Sequence, residues 1–580
     1  MIVLKCILID FGSTFIKYSI YNSYTDKILL SDKIKFPDPI ICDSSRYIVS
    51  KNKINESVFY LMEIAKKNEC KKLFISVQMH GYILKYNNGN FSDYISWRDK
   101  SGDISIIADY NINFIDRGTS LKNNLPFVKL CCNKETTYNC EFFTLGSYIS
   151  YILTGNNTTH KTDACASGFF DAKTLNPLPY PLKEIILPTV KNEISCVGRY
   201  ENIEVYSPCG DHQVSFYGIN ENDFYLLNIG TATQLSCLEN ENCIASSCEK
   251  RPYFDDNNRV FTVSGLVGGD VLFKENSFEL LISEINSSIK KLPNKTKFVF
   301  AGGGAELAYE KISSFFNNKG FECKLLNKNA GLEGLIKMVK KTEIKKGVMV
   351  SEIPFINLPL IFKNNDLNFF IIDTEHGAFD YSTVSAMITN ATLCSIPSII
   401  RLSDNARMNI TKYSDAGTNG FILPMTNSPE DIIPVIKYAK YSPIGKRGIS
   451  TMRAHTLYNP PPLREYMNKA NEKLKVYAQI ETVEGVKNIN EIIAVNGLDG
   501  VFIGPNDLSC DLDCIGDKKP VIECIEIIAS ACKKANKTWG IITTDSELIA
   551  IAKENNVKLI SYGSELNILN NGCKTIKEKI

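Results

Sequence analysis

From residue 347 onward the sequence keeps one rhythm: a short run of β-branched and aromatic residues, a polar break, then an amphipathic stretch. The runs are GVMVSE (347–352), FFIIDTEH (369–376), SIIRL (398–402), GFILPM (420–425), KVYAQIET (475–482), GVFIGPNDL (500–508), TWGIITT (538–544) and KLISYGSE (558–565). Strands that alternate with helices predict a parallel α/β sheet. Eight such units in about 235 residues fit a closed TIM (β/α)8 barrel better than an open doubly wound sheet, which seldom keeps so regular a count.

In such a barrel the C-terminal strand ends converge on one face, where catalysis occurs. Polar residues gather there: Asp373, Glu375 and His376 after FFII, Arg401 after SII, Gln479 and Glu481 after KVYA, and Asn506 and Asp507 after VFIG. Any one polar strand end is as readily structural as chemical. Four strands supplying acid, base, cation and a Gly-Pro turn favour a site. Glu481 and Asp507 are hard oxygen ligands suited to Mg²⁺ or Mn²⁺, and no Cys and His cluster has zinc spacing.

At 580 residues the chain exceeds a single core. The charged patch MVKKTEIKKGV (338–348) follows a helical pattern and precedes the first barrel strand. The boundary is therefore predicted there, giving domains 1–342 and 343–580. The first domain carries strands near 4–10, 14–21 and 27–35, a helix near 55–67 and the strand KKLFISVQ. A second strand, Gly-turn, strand cycle follows late, in YLLNIGTATQLSCL and KFVFAGGG. Two such cycles predict two related lobes around a cleft.

In ILIDFGSTFIK an acid, Asp10, ends a strand; Gly12, Ser13 and Thr14 form a tight turn, and Lys17 lies on the returning strand. Amides and hydroxyls of such a turn can cradle phosphate, and Asp10 can hold hydrated Mg²⁺. One Gly-Ser-Thr hairpin is ordinarily only a turn. The pattern recurs at Gly230, Thr231 and Thr233, and again at Gly302, Gly303 and Gly304, which is harder to attribute to turns alone.

With SVQMHGYIL (76–84), ISWRDKSG (95–102), SYILTGNNTTHKTDACASGFFD (150–171), GDHQ (210–213) and RPYF (251–254), residues 4–340 resemble the FGGY carbohydrate kinases of the actin, hexokinase and heat-shock ATPase superfamily. QMHG looks most like the kinases of xylulose and sedoheptulose. The resemblance implies a two-lobed, ribonuclease H-like fold that phosphorylates a ketose-like sugar with ATP and Mg²⁺. Asp211 would be the general base, and Gln78, Met79, His80, Trp97 and Asp99 would line the sugar site. The turns at 12–14, 230–233 and 302–304, with Asp10 and Lys17, would hold ATP. The span between GLVGGDVL and VFAGGG is short, so the second lobe is trimmed relative to that family.

DTEHGAFD (373–380), DAGTNGFILPM (415–425), YSPIGKRG (441–448), QIET (479–482) and GPNDLS (504–509) make residues 346–578 resemble the HpcH/HpaI class II pyruvate aldolases. The resemblance implies retro-aldol cleavage of a 4-hydroxy-2-oxo acid to pyruvate and an aldehyde. Glu481 and Asp507 would bind the metal. His376, oriented by Asp373, would be the acid/base, Arg401 would stabilise the enolate, and Gln479 with Gly504, Pro505 and Asn506 would hold the oxo acid. RLSDN departs from the proline that often follows the arginine. Rival readings make the barrel a lyase of a CoA thioester and the kinase half a non-catalytic sugar or nucleotide sensor.

Sixty-five basic against 64 acidic residues leave a charge of +1, which argues against nucleic acid or anionic lipid as partners. The 19 cysteines are irregularly spaced and read as reduced thiols. No signal peptide or membrane helix is evident, so the expectation is a cytoplasmic enzyme taking small molecules, homo-oligomeric through its barrel.

Overall fold

A computed structural model of the protein describes residues 5–580 apart from 24, 111–117, 133–138, 179–184, 231–232, 244–247, 256, 269–276 and 327–328. Thr231 thus lies outside the described residues. The chain divides into two compact units, one ending at Thr342 and the other spanning Glu343–Ile580. Among the described residues no helix is long and apolar enough to cross a membrane.

In the first unit the strands Lys27–Lys35, Phe15–Asn22, Lys5–Phe11, Lys72–Val77 and Ile203–Tyr206 lie side by side in that order. Two antiparallel pairings are followed by two parallel ones. A second sheet repeats both order and sense with Asn258–Leu266, Thr233–Asn240, Phe224–Ile229, Lys297–Ala301 and Glu322–Leu325. The lobes are therefore topological copies. Central strands such as KLFISV and FYLLNI are nearly continuous apolar runs because both faces are covered. The outer strand KILLSDKIK is exposed and lysine-bearing, as an unpaired edge requires. A third sheet of five short strands, between Pro39 and Thr144, has no counterpart among the described residues of the second lobe.

Two helices of this unit, Asp211–Gly218 and Ala330–Thr342, cross through glycines. A Cβ on Gly218 would stand closer than 3.0 Å to the carbonyl oxygen of Ala330, and one on Gly334 equally close to that of Val214. Backbone rests on backbone, which fixes Asp211 at the start of its helix. Gly331, one turn earlier, would meet its neighbours only at 3.4 Å or more.

The second unit is a closed barrel of eight parallel strands, with Lys345–Val350 pairing both Phe369–Asp373 and Leu559–Ser564. Met349, Phe369, Ile371, Ile399, Ile422, Tyr477, Phe502 and Leu559 fill its interior, and Gly347 and Gly540 make room for the rings of Phe369 and Phe502. The run 500–508 is not one strand. Pairing stops at Ile503, and a helix occupies Pro505–Asp511, because Gly504 and a proline at the first helical position begin a helix rather than continue a strand. Asp507 therefore lies in a helical first turn and not at a strand end.

The glycine crossing gives a test of sign. Helix propensity alone would make Gly334→Ala stabilising by about 1 kcal/mol, whereas overpacking against Val214 should destabilise by about 1–3 kcal/mol. Thermal unfolding followed by circular dichroism should show a lower midpoint for Gly334→Ala and none for Gly331→Ala. A higher midpoint for Gly334→Ala would contradict the crossing.

Candidate active sites

At the mouth of the barrel Arg401 ends its strand beside Asp373 and donates from Nε and Nη2 to the two oxygens of that buried carboxylate, at 2.9 and 2.6 Å. Asp373 also accepts the backbone N–H groups of Glu375 and His376. Asp373 thus orients Arg401 and the turn after its own strand; it meets His376 through the backbone and not through the imidazole. The ring of His376 is exposed and instead has Glu375 at 3.9 Å, while Glu375 lies 3.3 Å from Nη1 of Arg401. Burial raises the Glu375 carboxyl above its ordinary value. Glu375, which the sequence reading left without a role, links arginine to histidine.

Glu481 follows the strand Lys475–Ile480 and is nearly enclosed. One oxygen accepts the backbone N–H of Met425 at 2.7 Å and the other the side-chain amide of Gln479. Met425 reaches that position with φ of 51°, a left-handed turn that nothing in the sequence marks. Gly504 stands where a Cβ would collide with the Glu481 carboxylate. Burial, with Asp507 and Glu375 adding to it, pushes Glu481 up to about 7 against its two hydrogen bonds. Gln479 thereby holds Glu481, and its own Oε1 is buried with no partner among the described residues. Asn506 and Asp507 are exposed in the first turn of their helix, and Pro505 is buried beneath them.

Among the described residues no group of three or more His, Cys, Asp or Glu side chains has the arrangement of a metal cage. The donor set does fit a hard divalent cation held by two carboxylates. Glu481 is destabilised as an anion by Asp507 and Glu375, and a cation between them would reverse that penalty.

In the first unit Asp10 lies between Lys17 and Ser76 in the sheet, and the Ser76 hydroxyl donates to it at 2.9 Å. Burial raises its carboxyl. The short strand Cys209–Gly210 pairs with Ser76 and Val77 and so delivers Asp211 to the same strand ends. Burial and then Asp10 push Asp211 up to about 7, opposed by the N–H of His212 and by Arg251. A cavity of about 310 Å³ opens at Asp10 and Lys17 and is walled by Asp32, Lys33 and Asn329. Gly12 and Ser13 are half-buried, and Thr14, Gly302 and Gly303 are exposed at the turns. Gly302, at φ of 97°, packs against the backbone of Ile229, which brings the turn at Gly230 beside Gly302–Gly304. Thr233 is buried on the returning strand.

Among the sugar-site candidates, Met79 lies against Gly210, since a Cβ there would meet its sulfur at 2.7 Å. His80, at φ of 65°, places Nδ1 2.7 Å from the carbonyl of Ala166. A carbonyl only accepts, so the proton sits on Nδ1. Burial, with Arg251 and Lys122, depresses the imidazole to about 3, so it is neutral. Gln78 is 3 % exposed, and neither of its amide atoms has a partner among the described residues. Trp97 is half-buried, and its carbonyl accepts from Asn124. Asp99 is 2 % exposed, accepts from Tyr47 and Ser101, which pins the turn that follows Trp97, and lies 3.6 Å from the buried Lys129.

Known proteins resemble both units. The pattern of the HpcH/HpaI aldolase/citrate lyase family matches residues 363–571. A 4-hydroxy-2-oxo-heptane-1,7-dioate aldolase of Shigella flexneri is 30% identical over 205 residues, which are 35% of this chain and 76% of that protein. A hydroxypyruvate/pyruvate aldolase of Roseovarius nubinhibens is 28% identical over 204 residues, covering 35% and 79%. A xylulose kinase from Lactobacillus acidophilus, 15% identical, superposes with a TM-score of 0.50 over 58% of this chain and 89% of its own, a likeness of fold. The first unit thus has the fold of a sugar kinase. Through its barrel, the chain belongs to the HpcH/HpaI aldolase/citrate lyase family.

Proposed function

We propose that the protein is bifunctional: residues 343–580 cleave a 4-hydroxy-2-oxo acid to pyruvate and an aldehyde, and residues 1–342 transfer a phosphoryl group from Mg·ATP to a sugar hydroxyl. The observation that carries the first activity is the grouping of Glu481, Asp507, Glu375 and Arg401 at one barrel mouth. A divalent cation held by Glu481 and Asp507 supplies, when bound, the Lewis acid for the 2-oxo group. Arg401, locked by its paired bond to Asp373, stabilises negative charge on the substrate oxygen. N–H groups in the first turn after Gly504, beside Asn506, receive the carboxylate. His376, with Glu375 beside it, moves the proton of the C4 hydroxyl through water.

The second activity rests on Asp211 facing Asp10 across the strand ends. Asp211 takes the proton of the attacking hydroxyl, Asp10 meets the hydrated Mg²⁺ of the nucleotide, and the glycine turns hold its phosphates. The likeness of QMHG to ketose kinases makes a ketose-like acceptor the first to assay. Exposed Leu566, Ile568, Leu569 and Ile576 on the helix Glu565–Lys579 support oligomerisation through the barrel unit.

Asp507→Ala should abolish pyruvate release and leave sugar-dependent ADP release unchanged. EDTA should reproduce that loss in the unaltered protein, and Mg²⁺ or Mn²⁺ should reverse it. Full activity in EDTA, or substrate trapped covalently by borohydride, would overturn this assignment.

Asp211→Asn should lower sugar-dependent ADP release by about 10²–10⁴ while ATP binding and pyruvate release persist. A base with a carboxyl near 7 is protonated below that pH. Kinase kcat/KM should therefore rise with pH through about 7 and then level. A flat profile from pH 5 to 8 would remove Asp211 from this role.

Expressed apart, 1–342 and 343–580 should each be soluble and keep their own activity. Aggregation of either piece unless both are coexpressed would refute their independence.

A further inference from the structure

Beside His80 lies a charged cluster that the phosphoryl-transfer chemistry does not use. Glu249, 3 % exposed, receives Ser120 Oγ, Lys122 Nζ and Ser264 Oγ on one oxygen, at 2.6, 2.7 and 3.0 Å. Its other oxygen receives Nε and Nη2 of Arg251, at 2.8 and 2.6 Å. Arg251 Nη1 donates to Gln234 and to Nδ1 of His212, whose Nε2 faces Ser236. Glu249 is thus saturated, whereas the cations are not. Lys122 also donates to Ser264, which leaves one of its three N–H groups, and its side chain is 35 % exposed. Arg251 has four of its five N–H groups engaged.

Two cations thus face one carboxylate. His80 and His212 are both held neutral, foremost by burial and then by Arg251. Arg251 answers Asp211 as well as Glu249, so the group left with donor capacity toward a ligand is the partly exposed Lys122, with one N–H unengaged, and the orphan amide of Gln78 lies two residues before His80. A neutral ketose meets that ammonium N–H with an ordinary hydrogen bond, and an acid meets it with a charge-assisted one.

We propose that the acceptor of the first unit is a 2-oxo sugar acid, a ketose-like chain whose C1 is a carboxylate received at Lys122 beside Arg251, with the Gln78 amide meeting its oxygens and Nε2 of His80 accepting from one of its hydroxyls. The proposal rests on the kinase reading above and names its substrate class. A distal hydroxyl oxygen attacks the γ-phosphorus, the bond to the β,γ-bridging oxygen breaks, ADP leaves, and Asp211 takes the hydroxyl proton. The product of a 3-deoxy member keeps a 2-oxo acid and a C4 hydroxyl, which is the substrate class of the barrel. There the C4 hydroxyl loses its proton, the C3–C4 electron pair passes to C3, and a proton is returned to C3. Pyruvate and a phosphorylated aldehyde result with no redox partner. The class of reaction that consumes the first unit's product is therefore carried on the same chain.

The test uses the full chain with Mg·ATP and three probes: 2-keto-3-deoxy-D-gluconate, D-gluconate and D-xylulose. ADP release should favour the oxo acid over D-xylulose by roughly 100-fold in kcat/KM, as expected for one charged hydrogen bond. Lys122→Met should raise KM for the oxo acid by roughly 10- to 100-fold with kcat little changed and leave D-xylulose unaffected. Lys122→Arg should restore the lower KM, and unaltered use of D-xylulose certifies that the first unit of the variant has folded. Equal or better use of D-xylulose, or equal losses for acid and ketose in Lys122→Met, would overturn the proposal. Calorimetric titration with the same probes separates it from the kinase reading. Oxo-acid binding that Lys122→Met removes, without ADP release, sinks the kinase and keeps the acid pocket, whereas binding that Lys122→Met leaves intact belongs to the barrel and, without ADP release, sinks both.

Discussion

Each candidate site is built on a carboxylate that the fold makes uncomfortable as an anion. Asp211 is half-buried and Glu481 buried, both are close to further carboxylates, and both are pushed up to about 7. Desolvating one such group costs several kcal/mol unless a cation or strong donors answer it. At Asp211 the answers are the N–H of His212 and the charge of Arg251. At Glu481 they are the Met425 N–H and the Gln479 amide. Both arrangements gather carboxylates at strand ends, which is the electrostatic setting that the proposed divalent cations and their phosphate or oxo-acid complexes require. The two units share no topology and reach this solution separately.

The scaffolds supply what the carboxylates need, which is rigidity at strand ends. In the first unit, the doubled pattern of two antiparallel and two parallel pairings makes two lobes, and in the second of them the turn at Gly302 rests on the backbone of Ile229. In the barrel the same service comes from parallel register. Asp373 and Arg401 are register partners on adjacent strands, so their double hydrogen bond follows from the sheet and needs little rotamer adjustment. Gly504 and Gly302 serve close approach: the first lets a carboxylate lie against backbone, the second lets one turn lie against another.

Much of this was legible in the sequence because it is periodic. All eight barrel strands and four of the five first-lobe strands described follow from apolar runs, and Asp10, Glu481 and Arg401 stand beside those runs; the run at Ile203–Tyr206 is too short to stand out, and Asp211 is marked by the GDHQ motif instead. What was not legible depends on contacts distant in sequence. The ion pair of Asp99 with Lys129, thirty residues away, has no mark in the motif around Asp99. Glu249 looks like an ordinary strand acid until Lys122 and Arg251 are brought to it. The helix at Pro505 is a different case. The Gly-Pro pair signalled it, but the apolar run before it continued the strand pattern past its true end at Ile503.

The left-handed backbone at His80 fixes more than a side-chain direction. Because Nδ1 keeps its proton on the Ala166 carbonyl and the ring stays neutral, Nε2 offers a lone pair and nothing else. A partner at that nitrogen must bring its own hydrogen. An ether, a fluorine or a carbonyl oxygen meets electron-pair repulsion there, so in the proposed sugar site this nitrogen selects for a free hydroxyl over its blocked analogues, through the polarity of a single imidazole nitrogen.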